Sequence, residues 1–143
     1  MSVESILRTK GTGVITIRSD ETLGEVAKVL AEKKIGAVVV SEDGVKVSGI
    51  ISERDIVRAV AENGAQALDQ PVSSMMTADV ITCERADTVE SVMQKMTAGR
   101  FRHVPVVADG ALLGIISIGD VVKKRIEDAE AEAEHLRGFI AGG

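Results

Sequence analysis

The segment Gly49-Ile50-Ile51-Ser52-Glu53-Arg54-Asp55 recurs later in the chain, with two changes, as Gly114-Ile115-Ile116-Ser117-Ile118-Gly119-Asp120. Each copy joins a Gly-Ile-Ile run, typical of a buried strand, to a hydroxyl and a carboxylate three residues apart. A second repeated segment lies upstream of each motif: the tripeptide Val-Ile-Thr at 14–16 recurs 66 residues later at 80–82. Internal repeats decide the architecture of a chain, since each copy is expected to fold into the same unit.

The repeated unit has the pattern strand, helix, strand, strand, helix. In the first copy the apolar spacing predicts these elements over residues 14–16, 21–34, 37–40 and 45–51, with the last helix beginning at Ser52. In the second copy the ranges are 80–83, 87–99, 103–107 and 112–116, with a helix from Ser117. One βαββα unit leaves an apolar sheet face exposed, whereas two related by a pseudo-twofold axis can cover each other. The predicted fold class is therefore α/β (α+β), with both repeats packed into one module.

Three segments follow from this division of the chain. Residues 1–70 hold the first repeat with the N-terminal segment, residues 71–125 the second repeat, and residues 126–143 a C-terminal amphipathic helix or tail. Residues 64–77, which contain Pro71, are predicted to form a short hinge between the repeats.

Apolar residues recur on the predicted C-terminal helix in steps of four and three. They are Val122, Ile126, Ala129, Ala133, Leu136 and Ile140. This heptad-like seam has two interpretations: it packs back on the N-terminal segment around Ile6 and Leu7, or it contacts a second subunit. The pattern alone favours neither, because a short seam with two alanines forms a weak coiled coil.

The composition excludes several classes of function. The net charge is −5 at pH 7, aromatic residues make up 1% and the basic residues are scattered, which argues against a nucleic-acid-binding surface. No apolar stretch approaches the roughly 18 residues of a membrane-spanning helix. The single cysteine, Cys83, excludes an intrachain disulfide, and it aligns with Ile17, so a packed thiol is predicted rather than a nucleophile. A cytoplasmic protein without membrane contact is expected.

The chain carries no recognisable catalytic pattern. Its two histidines, His103 and His135, have no metal-ligand spacing with the cysteine. Neither a Gly-x-x-x-x-Gly-Lys phosphate loop nor a Gly-x-Ser-x-Gly nucleophile elbow occurs. We therefore predict that the chain is not an enzyme, with no catalytic residue, no metal and no catalytic cofactor.

Each repeated motif has a structural and a functional interpretation. Ser52 with Asp55, and Ser117 with Asp120, have the spacing of a helix capping box. The same groups suit a ligand, because a helix N-terminus and a hydroxyl can bind a phosphate, and a carboxylate one turn on can accept both hydroxyls of a ribose diol. The glycine before each Ile-Ile pair is expected to let a ligand approach the backbone. With an aliphatic slot for a purine, these groups describe a nucleotide site.

Three features together resemble one protein family. They are the tandem repeats, the two Gly-x-x-Ser-x-x-Asp motifs and the sequence Arg102-His103-Val104-Pro105 ahead of the second motif. These resemble the CBS-domain family, named for cystathionine β-synthase, over about residues 3–125. The chain is similar to the small stand-alone bacterial members made of one tandem CBS pair with no catalytic domain.

The resemblance implies two clefts at the interface of the repeats, which bind adenosine-containing ligands such as AMP, ATP, NAD(H) or S-adenosylmethionine. It assigns the ribose-binding acids to Asp55 and Asp120, and the phosphate-binding hydroxyls to Ser52 and Ser117. The residues that match those lining the base are Thr16, Ala37, Val38, Thr82, Val104 and Pro105.

The two copies differ in their charged residues. Arg54 has a glycine as its counterpart, while Arg102 and His103 correspond to Gly36 and Ala37. Arg54, Arg102 and His103 are therefore candidate phosphate clamps, and the alternative for each is a solvated surface group.

These inferences predict a regulatory, energy-sensing module. An adenine nucleotide would bridge the repeats and shift a homodimer between arrangements that a protein partner, which the sequence does not name, reads. A homodimer is expected because helix faces rich in Ala, Val and Met would otherwise lack a covering layer. The alternative is a structural dimerisation module with vestigial nucleotide clefts.

Overall fold

The computed structural model describes residues 2–142 of the chain, and helices and strands alternate along it. In chain order the elements are α1 (Val3–Lys10), β1 (Thr16–Ile17), α2 (Leu23–Lys33), β2 (Ala37–Val40), β3 (Gly49–Ser52), α3 (Glu53–Asn63), two 3-10 helices (Gly64–Asp69 and Val72–Ser74), α4 (Val89–Gly99), β4 (His103–Ala108), β5 (Ala111–Ser117) and α5 (Ile118–Gly142). The fold is a mixed α+β pair of related units, as the sequence predicts.

The first repeat is built on the sheet β1-β2-β3. Strand β1 runs parallel to β2, and β2 runs antiparallel to β3, with Ala37 opposite Ser52. All four residues of β2 are buried, which explains the unbroken apolar run at 37–40. Val38 and Val40 lie in the core that α2 and α3 share with the sheet. The buried core residues are Ile17, Leu23, Val26, Leu30, Val38, Val40, Ile51, Ile56, Ala59, Ala67 and Val72.

Strand β3 begins later than the sequence pattern predicts. The expected strand over residues 45–51 starts only at Gly49, so the prediction for 45–48 is wrong. The carboxylate of Asp43 accepts hydrogen bonds from the backbone N–H groups of Val45 and Lys46, at 2.8 and 2.9 Å. These local bonds hold the chain in a turn, which prevents it from joining the ladder.

The second repeat keeps a shorter sheet. Strands β4 and β5 pair antiparallel, whereas the strand predicted at 80–83 contributes a single parallel bridge between Cys83 and Val106. The N–H of Cys83 donates to the carbonyl of Pro105 at 3.0 Å, and its carbonyl accepts from Val107 at 2.9 Å. The strand prediction for 80–82 is wrong, because Val80 and Ile81 border a cleft instead of extending the sheet.

Helix α1 closes the core of the second repeat, although it precedes the first repeat in the chain. Val3, Ile6 and Leu7 are buried there with residues from α4, β4, β5 and α5. The N–H of Val3 donates to the carbonyl of Asp87 at 2.9 Å, which fixes the start of α1 beside α4. The predicted division of the chain places this segment with the first repeat, in residues 1–70. In the structure the segment packs against the second repeat.

The connector between the repeats is packed, not free. Ala67 and Val72 are fully buried in the first core. The N–H of Val72 donates to the carbonyl of Glu21 at 2.7 Å, and Thr77 exchanges two backbone hydrogen bonds with Ile50, at 2.9 and 3.0 Å. The predicted hinge over residues 64–77 is therefore a covering layer of the first repeat.

Candidate functional site

Two clefts lie between the repeats, at positions related by the internal repeat. The first, of about 420 Å³, is bordered by the start of α3 and by residues 79–81 and 99–103. The second, of about 290 Å³, is bordered by residues 13–15 and 34–38 together with Ile115 and Ser117. Each cleft combines residues of the Ser-x-x-Asp motif of one repeat with the segments that precede the strands of the other repeat. Neither repeat forms a cleft alone.

In the first cleft Ser52 and Asp55 form a complete capping box. The N–H and the hydroxyl of Ser52 donate to Oδ2 of Asp55 at 2.9 and 3.1 Å, and Ser52 Oγ accepts from the N–H of Asp55 at 3.4 Å. The Asp55 side chain is 17% exposed, and its Oδ1 lies 3.8 Å from Arg58 Nη1. The capping box therefore uses only Oδ2 of Asp55, and Asp55 is also one of the residues that border the cleft.

At the second motif the same box has an added partner. The N–H of Ser117 donates to Asp120 Oδ2 at 2.9 Å, and Ser117 Oγ accepts from the N–H of Asp120 at 3.2 Å. Lys10 of α1 donates to the same Oδ2 at 2.6 Å. Burial by itself would raise the pKa of Asp120, but the hydrogen bonds from Lys10 and Ser117 and the charge of Lys10 outweigh it and hold that pKa below the usual 3.8.

His103 stands between the two clefts and borders both of them, as does Ala37. The ring lies over Gly36, where an added β-carbon would come within 3.2 Å of Cε1. Burial lowers the pKa of His103, and the positive charge of Lys10 lowers it further, against weaker opposing effects of Glu53 and Asp120. The ring of His103 is therefore a wall that the two clefts share.

The two clefts differ in their cations. The first is bordered by the four arginines Arg54, Arg58, Arg100 and Arg102. The second is bordered by Lys10 and Lys34. Lys34 and Arg100 hold equal places, because each caps the C-terminal end of its helix in a left-handed conformation, with φ of 56° and 57°. Of the four arginines, only Arg58 forms an ion pair within the described residues.

The structure brings most of the sequence-predicted site residues to the clefts. Those on a cleft wall are Ala37, Val38, Ser52, Arg54, Asp55, Arg102, His103 and Ser117. Asp120 lies in the first turn of α5 and is hydrogen-bonded to Lys10, which borders the second cleft. The predicted residues thus lie together at two clefts between the repeats, and their role in ligand binding stays a prediction.

Four expected base-lining residues lie outside both walls: Thr16, Thr82, Val104 and Pro105. Thr16 sits in the sheet opposite Val39, and Val104 is fully buried in the second core. Successive strand residues face opposite sides, so His103 faces the cleft while Val104 faces the core. The walls use the residues just before each predicted threonine instead, at 13–15 and 79–81.

Four cations that border the clefts were not predicted as phosphate clamps: Arg58, Arg100, Lys10 and Lys34. Arg58 lies one turn beyond Asp55 on α3, and helical spacing alone could have placed it there. Arg100 was visible as the counterpart of Lys34 in the repeat alignment. No sequence pattern could place Lys10 at a cleft, because it belongs to α1, which lies outside the repeated unit.

The motif glycines serve the protein's own packing. A β-carbon on Gly49 would come within 2.7 Å of Met76 Sδ and 2.9 Å of the Thr77 carbonyl oxygen. On Gly114 it would come within 2.8 Å of Leu7 Cδ2. The expectation that these glycines admit a ligand is wrong, since the connector approaches the first and α1 the second.

The remaining chemical groups are structural. Cys83 is buried, and burial, helped by the charge of Asp87, raises the pKa of its thiol to about 11, as expected of a packed thiol and not of a nucleophile. Over residues 2–142 no group of three or more His, Cys, Asp or Glu side chains could hold a metal ion. None of the helices described is both long and apolar enough to cross a membrane.

These observations define a tandem repeat module with ligand-sized clefts at its internal interface. The family model of the CBS domain matches the chain twice, over residues 3–62 and 72–127. The chain belongs to the CBS-domain family and carries a tandem pair of these domains.

Solved structures share the fold. A CBS-domain containing protein from Agrobacterium tumefaciens is 52% identical and superposes with a TM-score of 0.84, over 87% of this chain and 99% of that one. A CBS domain protein from Pyrobaculum aerophilum, complexed with AMP, is 32% identical with a TM-score of 0.75, over 84% and 89% of the two chains. The CBS domain pair of protein MJ0100, complexed with methylthioadenosine and S-adenosylmethionine, is 30% identical with a TM-score of 0.79, over 90% and 98%.

Proposed function

We propose that this protein is a regulatory ligand-sensing module that binds adenosine-containing nucleotides in the two clefts between its CBS domains. The observation that carries the proposal is that both domains contribute to each cleft. The helix start in the Ser-x-x-Asp motif of one domain faces the segments that precede the strands of the other domain. A ligand there contacts both domains, so its binding changes how they sit together. The adenosine complexes of two relatives support the ligand class.

Each group in the first cleft has a role toward such a ligand. The N-terminus of α3 and the hydroxyl of Ser52 suit a phosphate, because unpaired N–H groups and the helix dipole favour negative charge. Asp55 uses Oδ2 for its cap and offers Oδ1 to the ribose hydroxyls. Ala37, Ile50 and Ile81 supply apolar surface for the purine.

The charge of the first cleft favours ligands that carry phosphate. Arg54, Arg100 and Arg102 border it and form no ion pair within the described residues. Guanidinium groups bind phosphate oxygens in a bidentate way and repel a positively charged sulfonium. AMP, ATP and NAD(H) are therefore expected to bind this cleft more tightly than S-adenosylmethionine, which suits a role in energy sensing.

The regulatory role completes the proposal. The clefts offer binding groups and no paired nucleophile and base, so we assign no catalysis to them. The nucleotide shifts a cytoplasmic homodimer between arrangements that a protein partner reads. The alternative is a structural dimerisation module with vestigial clefts, which keeps the dimer and lacks the ligand response.

A thermal-shift panel tests the proposal. AMP, ATP, NADH and S-adenosylmethionine are compared with GTP, 2′-deoxy-AMP and free adenine. A ligand at 100 times its dissociation constant stabilises the native state by about 2.7 kcal/mol, which moves the melting temperature of a domain this size by several degrees. We expect shifts with the phosphorylated adenosines and none with adenine.

Each arm of the panel removes one part of the proposal. An equal shift with GTP and ATP removes the adenine preference. An equal shift with AMP and 2′-deoxy-AMP removes the contact between the carboxylate and the diol. Absence of any shift favours the structural alternative.

A further inference from the structure

Lys10 borders two separate spaces at the second Ser-x-x-Asp motif. One is the second cleft, of about 290 Å³, which Ser117 also borders. The other is a neighbouring cavity of about 230 Å³ between α1 and the first turns of α5, which Asp120 borders. Of the described residues, Lys10 alone borders both spaces. The hydroxyl and the carboxylate of the second motif thus belong to different spaces, and Lys10 forms the wall between them.

The first motif is not divided in this way. Ser52 and Asp55 border one and the same cleft, of about 420 Å³. Pockets that hold small molecules usually measure about 300–1,000 Å³, so the first cleft falls within this range and the second just below it. The capping hydrogen bonds are alike in both motifs and do not cause the difference. The difference is Lys10, whose Nζ lies 2.6 Å from Oδ2 of Asp120.

Lys10 is the member of this ion pair that can move. Asp120 is held in the first turn of α5 by the N–H of Ser117. Lys10 is the last residue of α1 and precedes Gly11, and its side chain is 36% exposed on a flexible four-carbon stem. The body of α1 stays in place, because its apolar residues are buried in the second core. Since a partly exposed ion pair contributes little free energy, a ligand that offers new partners can separate the two charges.

A nucleotide offers a partner to each of these charges. The ribose diol donates two hydrogen bonds to a carboxylate, and a phosphate accepts hydrogen bonds from an ammonium group. Adenosine supplies the diol without the phosphate, so it would leave the displaced ammonium of Lys10 without a partner from the ligand. The nucleotide 2′-deoxy-AMP supplies the phosphate with only one of the two hydroxyls for Asp120. Exchange of the ion pair for two new pairs therefore favours ligands that carry both groups.

We propose that Lys10 is a specificity-determining residue of the second cleft. A ligand reaches Asp120 there by displacing Lys10, and its phosphate then pairs with the displaced ammonium. The second cleft thus selects adenosine ligands that carry both a ribose diol and a phosphate. The first cleft needs no such exchange, because Asp55 borders it directly. This role of Lys10 rests on the proposed function, since it requires that adenosine-containing ligands occupy the clefts.

Titration of the isotope-labelled full chain, followed by NMR, tests the role of Lys10 at each cleft separately. The backbone N–H of Gly13 reports on the second cleft and that of Gly99 on the first, because each glycine borders one cleft and not the other. The ligands are AMP, adenosine and 2′-deoxy-AMP. In wild type, AMP should bind at Gly13 at least about tenfold more tightly than either of the others, the lower range for a charged hydrogen bond.

Substitutions of Lys10 should change this preference. In Lys10→Met, adenosine should bind about two- to fivefold more tightly at Gly13, because Asp120 is released, and the preference for AMP over adenosine should fall about tenfold. Lys10→Arg keeps the charge and should keep the preference. The matched control is Arg8→Met, which removes an exposed cation from the same helix and should change neither cleft. Lys34→Met removes the other cation of the second cleft, leaves the ion pair intact and should not tighten adenosine binding.

The outcomes separate this role from the proposed function. Equal affinities of AMP and adenosine at Gly13 in wild type would overturn the role of Lys10. An AMP preference that survives in both Lys10→Met and Lys10→Gln, two neutral variants whose folding the amide spectrum reports, would do the same. A response to AMP at Gly99 with none at Gly13 would also overturn it, while the proposed function would stand for the first cleft. If neither glycine responds to any of the ligands, the proposed function itself fails.

Discussion

Lys10 donates a 2.6 Å hydrogen bond to Asp120 Oδ2, across 110 residues of chain. Asp55 holds the equivalent place in the first repeat, and its ion-pair partner there is Arg58 of the same helix, at 3.8 Å. The two motifs therefore have the same local cap and different electrostatic surroundings. The carboxylate of the first cleft is the freer of the two, so we expect the first cleft to have the higher affinity for an adenine nucleotide.

Replacing Lys10 by methionine should lower the free energy of unfolding at pH 7 by about 1 kcal/mol, the scale of a partly exposed ion pair. The pKa of Asp120 is lowered in the fold, so its stabilising effect is present above the unfolded value of 3.8 and is lost as the pH falls through the lower folded value. The difference between the variant and wild type should therefore vanish in acid. Urea unfolding at several pH values measures it.

Arg8→Met is the matched control for this variant. Arg8 is exposed on the same helix and forms no ion pair among the described residues. It should leave the stability unchanged at both ends of the pH range. A pH-independent loss in Lys10→Met would mean that the lysine acts through packing and not through its charge.

Asp55→Asn and Asp120→Asn should each weaken nucleotide binding at one cleft by about 10- to 150-fold, because each removes a charged acceptor for the ribose hydroxyls. Calorimetry should show one strong site fewer in each variant. Thr88→Ala is the control for a lost cap, since Thr88 Oγ1 accepts from the N–H of Ser91 at 3.0 Å and Thr88 borders neither cleft. It should cost about 1 kcal/mol of stability and no affinity. Unchanged affinity in both aspartate variants would leave these acids as caps alone.

The pKa of His103 is lowered below 6.5 in the fold by burial and by Lys10. The unfolded chain then binds a proton first, so the free energy of unfolding should fall as the pH drops from 6.5 through the folded value. A bound phosphate favours the protonated ring, so the affinity for AMP should rise over the same interval. His103→Gln should abolish both effects, and His135→Gln, on the exposed arm of α5, should abolish neither. Titration calorimetry from pH 5 to 8 is the measurement.

Gly49→Ala should destabilise the fold more than Gly114→Ala, although the two glycines hold the same place in their motifs. At Gly49 the added carbon meets the Thr77 carbonyl oxygen at 2.9 Å, which is backbone and cannot turn away. At Gly114 it meets the end of the Leu7 side chain, which can rotate. We expect a cost of about 1–3 kcal/mol for Gly49→Ala and less for Gly114→Ala. Equal costs by chemical denaturation would contradict this reading of the two contacts.

The local parts of the site were predictable from the sequence. Ser52 and Asp55 are separated by one helical turn, so the capping box depends only on residues within four positions of each other. The burial of β2 follows in the same way from an unbroken apolar run. The position of Arg58 on the same face of α3 as Asp55 also follows from helical spacing, although Arg58 lies outside the repeated motif.

The sequence by itself determined the two-fold repetition, the family and the helix-strand-strand-helix order that both copies share, because these depend on short-range patterns that recur at a fixed interval. Only the tertiary structure decided that α1 closes the second core, that Lys10 reaches Asp120, that the connector covers Gly49 and that His103 borders both clefts. Each of these is a contact between elements far apart in the chain. Such contacts are set by how apolar faces fit together on folding, and no local spacing encodes that fit.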